Sequence, residues 1–488
     1  MGRRVAVRLA GARVLRLAGA RIGKPAAFCL PLLVFSVRHM TVARKKSKGI
    51  AQDTTTRRTA KRVIAAATIV PLSGLALAGA AAPAAAYAST APAAHTGKAP
   101  APDGYRGRLV SVTALRTLPD QAAVKTELTA DGFATGAVRF GVRTYRLVYR
   151  TVSATGRPIT ASGLLAVPVN TAHRLSVVSF AHGTEVYRGD APSMQPHGFE
   201  PASAYTYSSA GFATVEPDYL GLGTGPGPHP WMDVPSETTA ELDMLHAART
   251  YLAGQGRTLR SRVFVTGFSQ GASAALGLGR ALQSGALPGL RLGALAPISG
   301  AYDLRHAELP ALLDGELVRL NPDPRLGAKY SVLYTAYGLV AFNRLHRFYT
   351  SPAEVVQAPY ARTIQQLFDS NHTAQQVVNG TPGTLGKLLT ARGFALLRHP
   401  SGGLATVLRI DDSVCDWAPA APTRLYLATH DEQAVNANTW HCQADFAAMH
   451  RHVRVINLGT PEYSHSRHLG SNVAATAQIV RWFSKLAR

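Results

Sequence analysis

Residues 263–273 read Val263-Phe264-Val265-Thr266-Gly267-Phe268-Ser269-Gln270-Gly271-Ala272-Ser273, which places a serine between two glycines, after an apolar run and before small residues. This is the G-x-S-x-G pattern of a sharp strand-to-helix turn that exposes a nucleophilic hydroxyl. The glycines suit the turn because neither carries a Cβ. The first helical N–H groups, beginning with that of Gln270, lack intrahelical acceptors and would face a developing oxyanion. The stretch predicts Ser269 as a nucleophile and Gln270 as an oxyanion donor; the alternative is a glycine-rich turn that contains a serine by chance.

The apolar pattern around this turn predicts an α/β fold with a mostly parallel central sheet and helices on both faces. Residues 145–150 alternate apolar and polar side chains, and residues 161–167 form another strand after an intervening turn. This pattern indicates that the sheet begins with antiparallel strands. Short apolar runs then alternate with amphipathic stretches, as in parallel β-α repeats. A capping box at Thr238-Thr239-Ala240-Glu241 is expected to open one helix. The expected later strands are residues 175–180, 212–215, 263–265, 292–298, 425–428 and 453–458, followed by a helix over 473–486 with Val473, Ala477, Val480 and Phe483 or Trp482 inward.

A long insertion is expected between the strands at 292–298 and 425–428. We predict a core formed by residues 105–303 and 411–488, with residues 304–410 as a helical cap over the serine turn. The insertion is rich in aromatic residues, which would line an apolar pocket or, for any single residue, more often form the core of the cap itself. These residues are Tyr330, Tyr334, Tyr337, Phe342, Phe348 and Tyr349.

The partners of a nucleophilic serine follow it in the order acid, then histidine, in this kind of fold. Asp431 follows the strand at 425–428, and the adjacent Glu432 is an alternative acid. His468 and His465 both lie between the last strand and the expected last helix, and His468 is the preferred base because it stands immediately before that helix. The predicted catalytic residues are therefore Ser269, Asp431 and His468.

A second oxyanion donor is expected from the loop after the strand at 175–180, which reads Ala181-His182-Gly183-Thr184. Gly183 permits close backbone approach, the N–H of Thr184 is the predicted donor, and His182 is interpreted as structural.

Farther along the chain, Cys415 and Cys442 flank the segment with the acid, and in an oxidising compartment they would form a disulfide; the alternative is two buried free thiols.

The formal net charge of +24 is concentrated at the N-terminus. Residues 1–62 hold sixteen Lys and Arg against the single acid Asp53, so the remainder carries only +9. Nucleic-acid binding is therefore not expected.

Residues 1–88 are predicted to be a leader with a signal peptide cleaved after Ala88, by a Sec or Tat route, with Met40 as an alternative start. Residues 89–104 are predicted to be a disordered linker, and the protein is expected to be secreted.

Several segments together resemble the secretory lipase family of α/β-hydrolases, over roughly residues 105–488. The resemblance rests on Ser179-Phe180-Ala181-His182-Gly183-Thr184, on the serine turn, on Trp417-Ala418-Pro419 and, most specifically, on Pro217-Asp218-Tyr219-Leu220-Gly221-Leu222-Gly223. It implies hydrolysis of carboxylic esters, including acylglycerols, with Ser269, Asp431 and His468 at the triad positions. The chain differs from the family after the acid, where Gln433-Ala434-Val435-Asn436 replaces a frequent Val-Pro.

Other functions fit the same fold, because a fold does not decide a reaction. An exported serine peptidase or an acyltransferase is one alternative, and a non-catalytic module that binds a lipid or a partner is another. No metal or other cofactor is expected, since no HExxH or Cys/His cluster occurs at ligand spacing. The expected partners are an ester or lipid substrate and a transient lipid interface; the oligomeric state is left open.

Overall fold

The computed structural model describes residues 104–488, so the predicted leader with Met40, Ala88 and Cys29, and nearly all of the predicted linker, lie outside the described residues. A nine-stranded sheet crosses this part of the chain in the order β1-β2-β3-β5-β4-β6-β7-β8-β9. The strands are β1 (Leu109–Leu118), β2 (Gly141–Val152), β3 (Pro158–Val169), β4 (Arg174–Ala181), β5 (Ala213–Pro217), β6 (Thr258–Phe268), β7 (Arg291–Ile298), β8 (Arg424–Leu427) and β9 (Arg454–Asn457).

The sheet is antiparallel from β1 to β5 and parallel from β5 to β9. The carboxyl ends of the parallel strands therefore meet at one edge, which is where open α/β sheets bind ligands. The expected α/β fold is confirmed, and each expected strand is present with shifted ends. β1 was not expected, because most of its side chains are exposed or half-buried and it shows no clear apolar alternation.

Fourteen α-helices accompany the sheet within residues 104–488. They are α1 (Gln121–Ala130), α2 (Phe199–Ser209), α3 (Val234–Gly254), α4 (Gln270–Gln283), α5 (Leu309–Leu313), α6 (Glu316–Leu320), α7 (Pro324–Leu345), α8 (Ile364–Leu367), α9 (Ala374–Gly380), α10 (Leu385–Leu388), α11 (Ala391–Arg398), α12 (Gly402–Asp412), α13 (Ala437–Ala448) and α14 (Arg467–Leu486). Within the described residues, no helix is both long and apolar enough to cross a membrane.

Two helix starts differ from the expectation. The capping box at residues 238–241 lies inside α3, which begins at Val234 because Asp233 caps it and Pro235 occupies its first turn. The last helix begins at Arg467, six residues earlier than expected, because the Ser466 hydroxyl accepts the N–H of Leu469. The inward face of α14 also differs: Ile479, Val480 and Phe483 are buried, whereas Val473, Ala477 and Trp482 are half-buried.

Both faces of the sheet are covered, as the apolar runs require. Along β6, Val263 and Val265 contribute to the apolar cluster on one side, and Phe264 and Phe268 contribute to the cluster on the other. Successive side chains of a strand point to opposite faces, so a continuous apolar run is needed where helices cover both. β6 is therefore held from two sides up to the residue that precedes Ser269.

The segment between β7 and β8 contains α5 to α12 and is mainly helical. Its centre is α7, which contributes more buried residues than any other element to a separate apolar cluster that also includes Val186, Trp231 and Met232. Of the six aromatic residues named above, Tyr330, Tyr337, Phe342 and Tyr349 are buried, whereas Tyr334 and Phe348 are half-buried. The buried four agree with a core role. The proposed cap limits, 304 and 410, fall close to the two ends of this helical segment.

Candidate active site

Ser269 occupies a strained turn between β6 and α4. Its φ angle is 56°, in the left-handed region that side chains other than glycine seldom adopt, and its N–H donates to the carbonyl of Ile298 at 2.9 Å. A Cβ at Gly267 would overlap the carbonyl of Gly271, and a Cβ at Gly271 would overlap the carbonyl of Ala181. The two glycines thus allow the turn to close against β4, and the half-buried Ser269 remains accessible at the strand edge.

His468 lies between the serine and a carboxylate. Its Nε2 is 2.9 Å from Ser269 Oγ, and its Nδ1 is 2.9 Å and 3.0 Å from the two carboxylate oxygens of Asp431. Asp431 is fully buried and His468 nearly so. The Asp431 carboxylate also accepts the N–H groups of Gln433 and Ala434, both at 3.0 Å, which fixes its direction. The arrangement can take a proton from the serine hydroxyl and hold the resulting imidazolium beside a negative charge.

The two alternative residues are placed elsewhere. The side chain of His465 is 94% exposed and contacts Glu462 at 3.3 Å. Glu432 is fully buried, but it lies under the backbone of the histidine turn: its carboxylate accepts the Ser466 hydroxyl at 2.5 Å and the His468 N–H at 3.3 Å. Arg467 approaches the same carboxylate at 3.4 Å. Glu432 therefore holds the segment that presents His468, and its carboxylate makes no hydrogen bond to the imidazole ring.

The two predicted oxyanion residues lie on either side of the serine turn. Gln270 is the first residue of α4, so its N–H has no acceptor within that helix. A Cβ added to Gly183 would lie 3.2 Å from the Phe268 ring and 3.7 Å from Ser269 Cβ, so the Gly183-Thr184 backbone runs close past the serine.

Both of these residues are held by one short segment, residues 229–231. The Trp231 indole N–H donates to Thr184 Oγ1 at 3.0 Å, and Gln270 Nε2 lies 2.8 Å from His229 Nε2. Because His229 Nδ1 lies 2.9 Å from the carbonyl of Leu220, we assign the proton to Nδ1, so that Nε2 accepts from Gln270. Gln270 Nε2 also donates to Glu237 at 2.6 Å. The segment thus orients both predicted oxyanion residues.

Burial sets the charge of the groups behind the serine. Desolvation raises the pKa of Glu237 to about 8 and lowers the pKa of His229 to about 4. It also lowers the pKa of His182 to about 3, and that ring lies against Tyr219 with centroids 4.3 Å apart. At neutral pH these side chains are uncharged. The region behind the serine turn therefore carries little charge, and the buried ring of His182 fits its structural interpretation.

One further feature was found in the structure and not in the sequence. His229, Trp231 and Glu237 follow no recognisable motif, and the sequence contains no signal that connects them to residues 184 and 270. The disulfide expected between Cys415 and Cys442 is present, with their Cα atoms 5.3 Å apart. This disulfide joins the residues just after α12 to α13, on either side of the strand that precedes Asp431.

Comparison with solved structures shows which fold surrounds this site. A protein of Legionella pneumophila, provisionally assigned as a hydrolase, is 23% identical, with a TM-score of 0.67 over 78% of this chain and 98% of its own. The rice cell wall degrading esterase LipA of Xanthomonas oryzae is also 23% identical, with a TM-score of 0.66 over the same shares. No protein-family model matches the chain, and no curated protein matches it.

The class that follows from the strand order, the serine turn and these neighbours is the α/β-hydrolase fold. This chain has that fold, with a long helical segment inserted between β7 and β8.

Proposed function

We propose that this chain is a serine hydrolase that cleaves carboxylic esters through an acyl-enzyme. The observation that carries the proposal is the continuous Ser269–His468–Asp431 contact, with 2.9 Å at each step. A serine hydroxyl is a weak nucleophile unless a base accepts its proton, and the base needs an oriented carboxylate. The named neighbours support the choice of ester hydrolysis among the reactions of this fold, since one of them is an esterase.

In the proposed reaction, His468 Nε2 takes the Ser269 proton as Oγ attacks the ester carbonyl carbon. Asp431 keeps the other imidazole proton on Nδ1 and stabilises the imidazolium. The N–H groups of Thr184 and Gln270 bind the oxyanion of the tetrahedral intermediate. His468 then gives its proton to the leaving alkoxide. Water, activated by the same histidine, attacks the acyl-enzyme and releases the carboxylic acid and free Ser269.

The substrates proposed are acylglycerols or esters of short to medium acyl chains. The aromatic side chains of Trp231 and Tyr334 stack with centroids 6.2 Å apart, and Trp231 hydrogen-bonds to Thr184, so apolar side chains lie next to the oxyanion loop. We further propose that the protein is exported. The predicted signal peptide and the disulfide both support this, and N-terminal sequencing of secreted protein is expected to begin at Ser89.

The direct test is hydrolysis of p-nitrophenyl esters, from acetate to palmitate, and of tributyrin. We expect the Ser269→Ala variant to lose at least about a thousandfold in kcat/KM. Ser284→Ala is the matched control, because Ser284 lies at the exposed end of the same helix. The chain-length profile of the unaltered protein distinguishes an esterase from a lipase. Amide cleavage without ester cleavage, or equal activity in Ser269→Ala, would overturn the proposal.

A further inference from the structure

A second group of chemically active side chains lies where the inserted segment leaves the core and returns to it. Asp303 follows β7 and caps the π-helical turn Leu304–Glu308, which carries His306; Asp412 is the last residue of α12. One ligand atom from each of Asp303, His306 and Asp412 can be chosen so that all three lie within 4.8 Å of one another. Two carboxylates and an imidazole from opposite ends of a long insertion thus converge on one point.

The spacing suits a small divalent ion. Carboxylate oxygens and imidazole nitrogens bind Zn²⁺ at about 2.0–2.2 Å, so the ligand atoms of a tetrahedral site are separated by roughly 3.3 Å. Asp303 Oδ1 and His306 Nδ1 are already 3.1 Å apart. The His306 side chain is 68% exposed and can rotate, so only a small movement is needed to bring the three atoms around one centre.

Backbone hydrogen bonds orient both carboxylates and leave oxygen lone pairs free for an ion. Asp412 accepts the N–H of Leu304 at 2.6 Å and that of Arg305 at 3.3 Å. Asp303 accepts the N–H of His306 at 2.8 Å. Within residues 104–488, neither carboxylate forms a salt bridge with a lysine or arginine side chain. Their mutual repulsion would therefore be offset by a bound cation.

His441 supports this arrangement from outside. Its Nδ1 lies 2.5 Å from Asp303 Oδ2, the oxygen that does not contact the His306 ring. A hydrogen bond to the distant oxygen of a ligating carboxylate fixes the orientation of the ligand. His441 precedes Cys442. Cys442 forms the disulfide with Cys415, which is three residues after Asp412. The same small region is thus held by a covalent bond and by side chains of the proposed site.

We propose that Asp303, His306 and Asp412 form a structural binding site for a divalent transition-metal ion, with Zn²⁺ as the preferred occupant and His441 as a positioning residue. The imidazole favours Zn²⁺ over Ca²⁺ or Mg²⁺, which prefer all-oxygen sites. The ion would connect the two ends of the inserted segment, and water would complete its coordination. This site takes no part in the proposed ester hydrolysis, and its existence does not depend on that function.

The test is calorimetric titration of ZnCl₂ into the untagged full-length protein after treatment with EDTA. We expect one ion per chain, a raised Tm with Zn²⁺, and at least a tenfold loss of affinity in His306→Ala and in Asp412→Asn. His441→Ala should weaken binding by about 10–100-fold. The matched control is His372→Ala, because His372 forms a similar i,i+3 contact with Asp369, at 3.0 Å, elsewhere in the insertion.

Folding is checked by circular dichroism and by Tm without metal, which His306→Ala should leave unchanged because the side chain is exposed. Absence of Zn²⁺, Co²⁺ and Mn²⁺ binding in the unaltered protein would overturn the proposal. Binding that is equally strong in His306→Ala, or that His372→Ala weakens as much, would also overturn it. Ester hydrolysis is measured separately with and without Zn²⁺, so that a failure of the metal site and a failure of the proposed function are distinguished.

Discussion

The indole N–H of Trp231 donates a hydrogen bond to the hydroxyl of Thr184, 3.0 Å away. The same indole ring stacks on Tyr337 of α7 with ring centroids 4.8 Å apart. One side chain therefore joins the proposed oxyanion loop to the central helix of the inserted segment. A movement of α7 would therefore change the position of Thr184 through this contact, and the Tyr337 hydroxyl, which donates to the carbonyl of Glu185 at 3.1 Å, joins the same two elements.

Replacement of Trp231 by Phe is expected to lower kcat/KM for p-nitrophenyl butyrate about tenfold. The variant removes one hydrogen bond, worth about 1–1.5 kcal/mol, that orients a group needed in the transition state. Thr184→Val breaks the same hydrogen bond from the other side. The double variant should therefore lose no more kcat/KM than the single variant with the larger loss. Trp440→Phe, at an exposed tryptophan, is the control. Additive losses would show that the contact does not position the loop.

Asp431→Asn and Glu432→Gln should separate catalysis from support. In Asp431→Asn the amide no longer stabilises the His468 tautomer, and kcat should fall by roughly 10³–10⁴-fold with little change in Tm. In Glu432→Gln the carboxylate beneath Ser466 and Arg467 is lost, which should destabilise the fold by about 1–3 kcal/mol and lower kcat far less. Steady-state kinetics and urea denaturation measure the two effects. The reverse pattern would make Glu432 the catalytic acid.

Stability is expected to fall as the pH rises from about 6.5 to about 8. Burial raises the pKa of Glu237, Glu200 and Glu308 to about 8, whereas the unfolded chain ionises these groups near 4.5. The folded state then binds more protons than the unfolded state, so the free energy of unfolding decreases with pH in this window. The lowered pKa values of His182 and His229 act in the opposite direction, but only below about 6.5.

Glu237→Gln should reduce this slope, by at most about 1.4 kcal/mol per pH unit, since one proton no longer takes part. The measurement is Tm or urea denaturation between pH 6.5 and 8.5. Glu462→Gln serves as the control because that side chain is 62% exposed. An unchanged slope in Glu237→Gln would mean that Glu237 is ionised in the folded protein.

Removal of the disulfide should lower the free energy of unfolding by about 3–4 kcal/mol. Cys415 and Cys442 are separated by 27 residues, and closing a loop of that length restricts the unfolded chain. Urea denaturation of Cys415→Ala/Cys442→Ala, and of the unaltered protein in reductant, gives two independent values. A loss below about 1 kcal/mol in both would show that the bond does not stabilise the fold.

The sequence predicted those parts of the structure that depend on short, contiguous patterns of residues. The serine turn, the buried strands and the loops that carry Asp431 and His468 all follow from local patterns. Helix starts were less accurate. At α3, a chance Thr238–Glu241 box outweighed the true signal, an aspartate cap followed by Pro235. At α14, Ser466 caps the helix without the glutamate that would complete a capping box, so the start was placed too late.

The rest could not be predicted because it depends on side chains that meet only after folding. Asp431 and Glu432 are adjacent acids, and nothing in the local sequence tells which one faces the imidazole. The contacts of Gln270 with His229 and Glu237 span 41 and 33 residues of chain. Trp231 and Thr184 are 47 residues apart. Such pairs follow from the path of the chain around the sheet.

The meeting of Leu304 with Asp412, whose carboxylate accepts the Leu304 N–H at 2.6 Å, places the entry and exit of the long insertion side by side. An insertion attached at a single point can lengthen, shorten or be exchanged without a change in the register of any strand. The region most suited to diverge during evolution is therefore also the one that packs beside the proposed oxyanion loop, so under the proposed function substrate preference could change while Ser269, His468 and Asp431 stay in place.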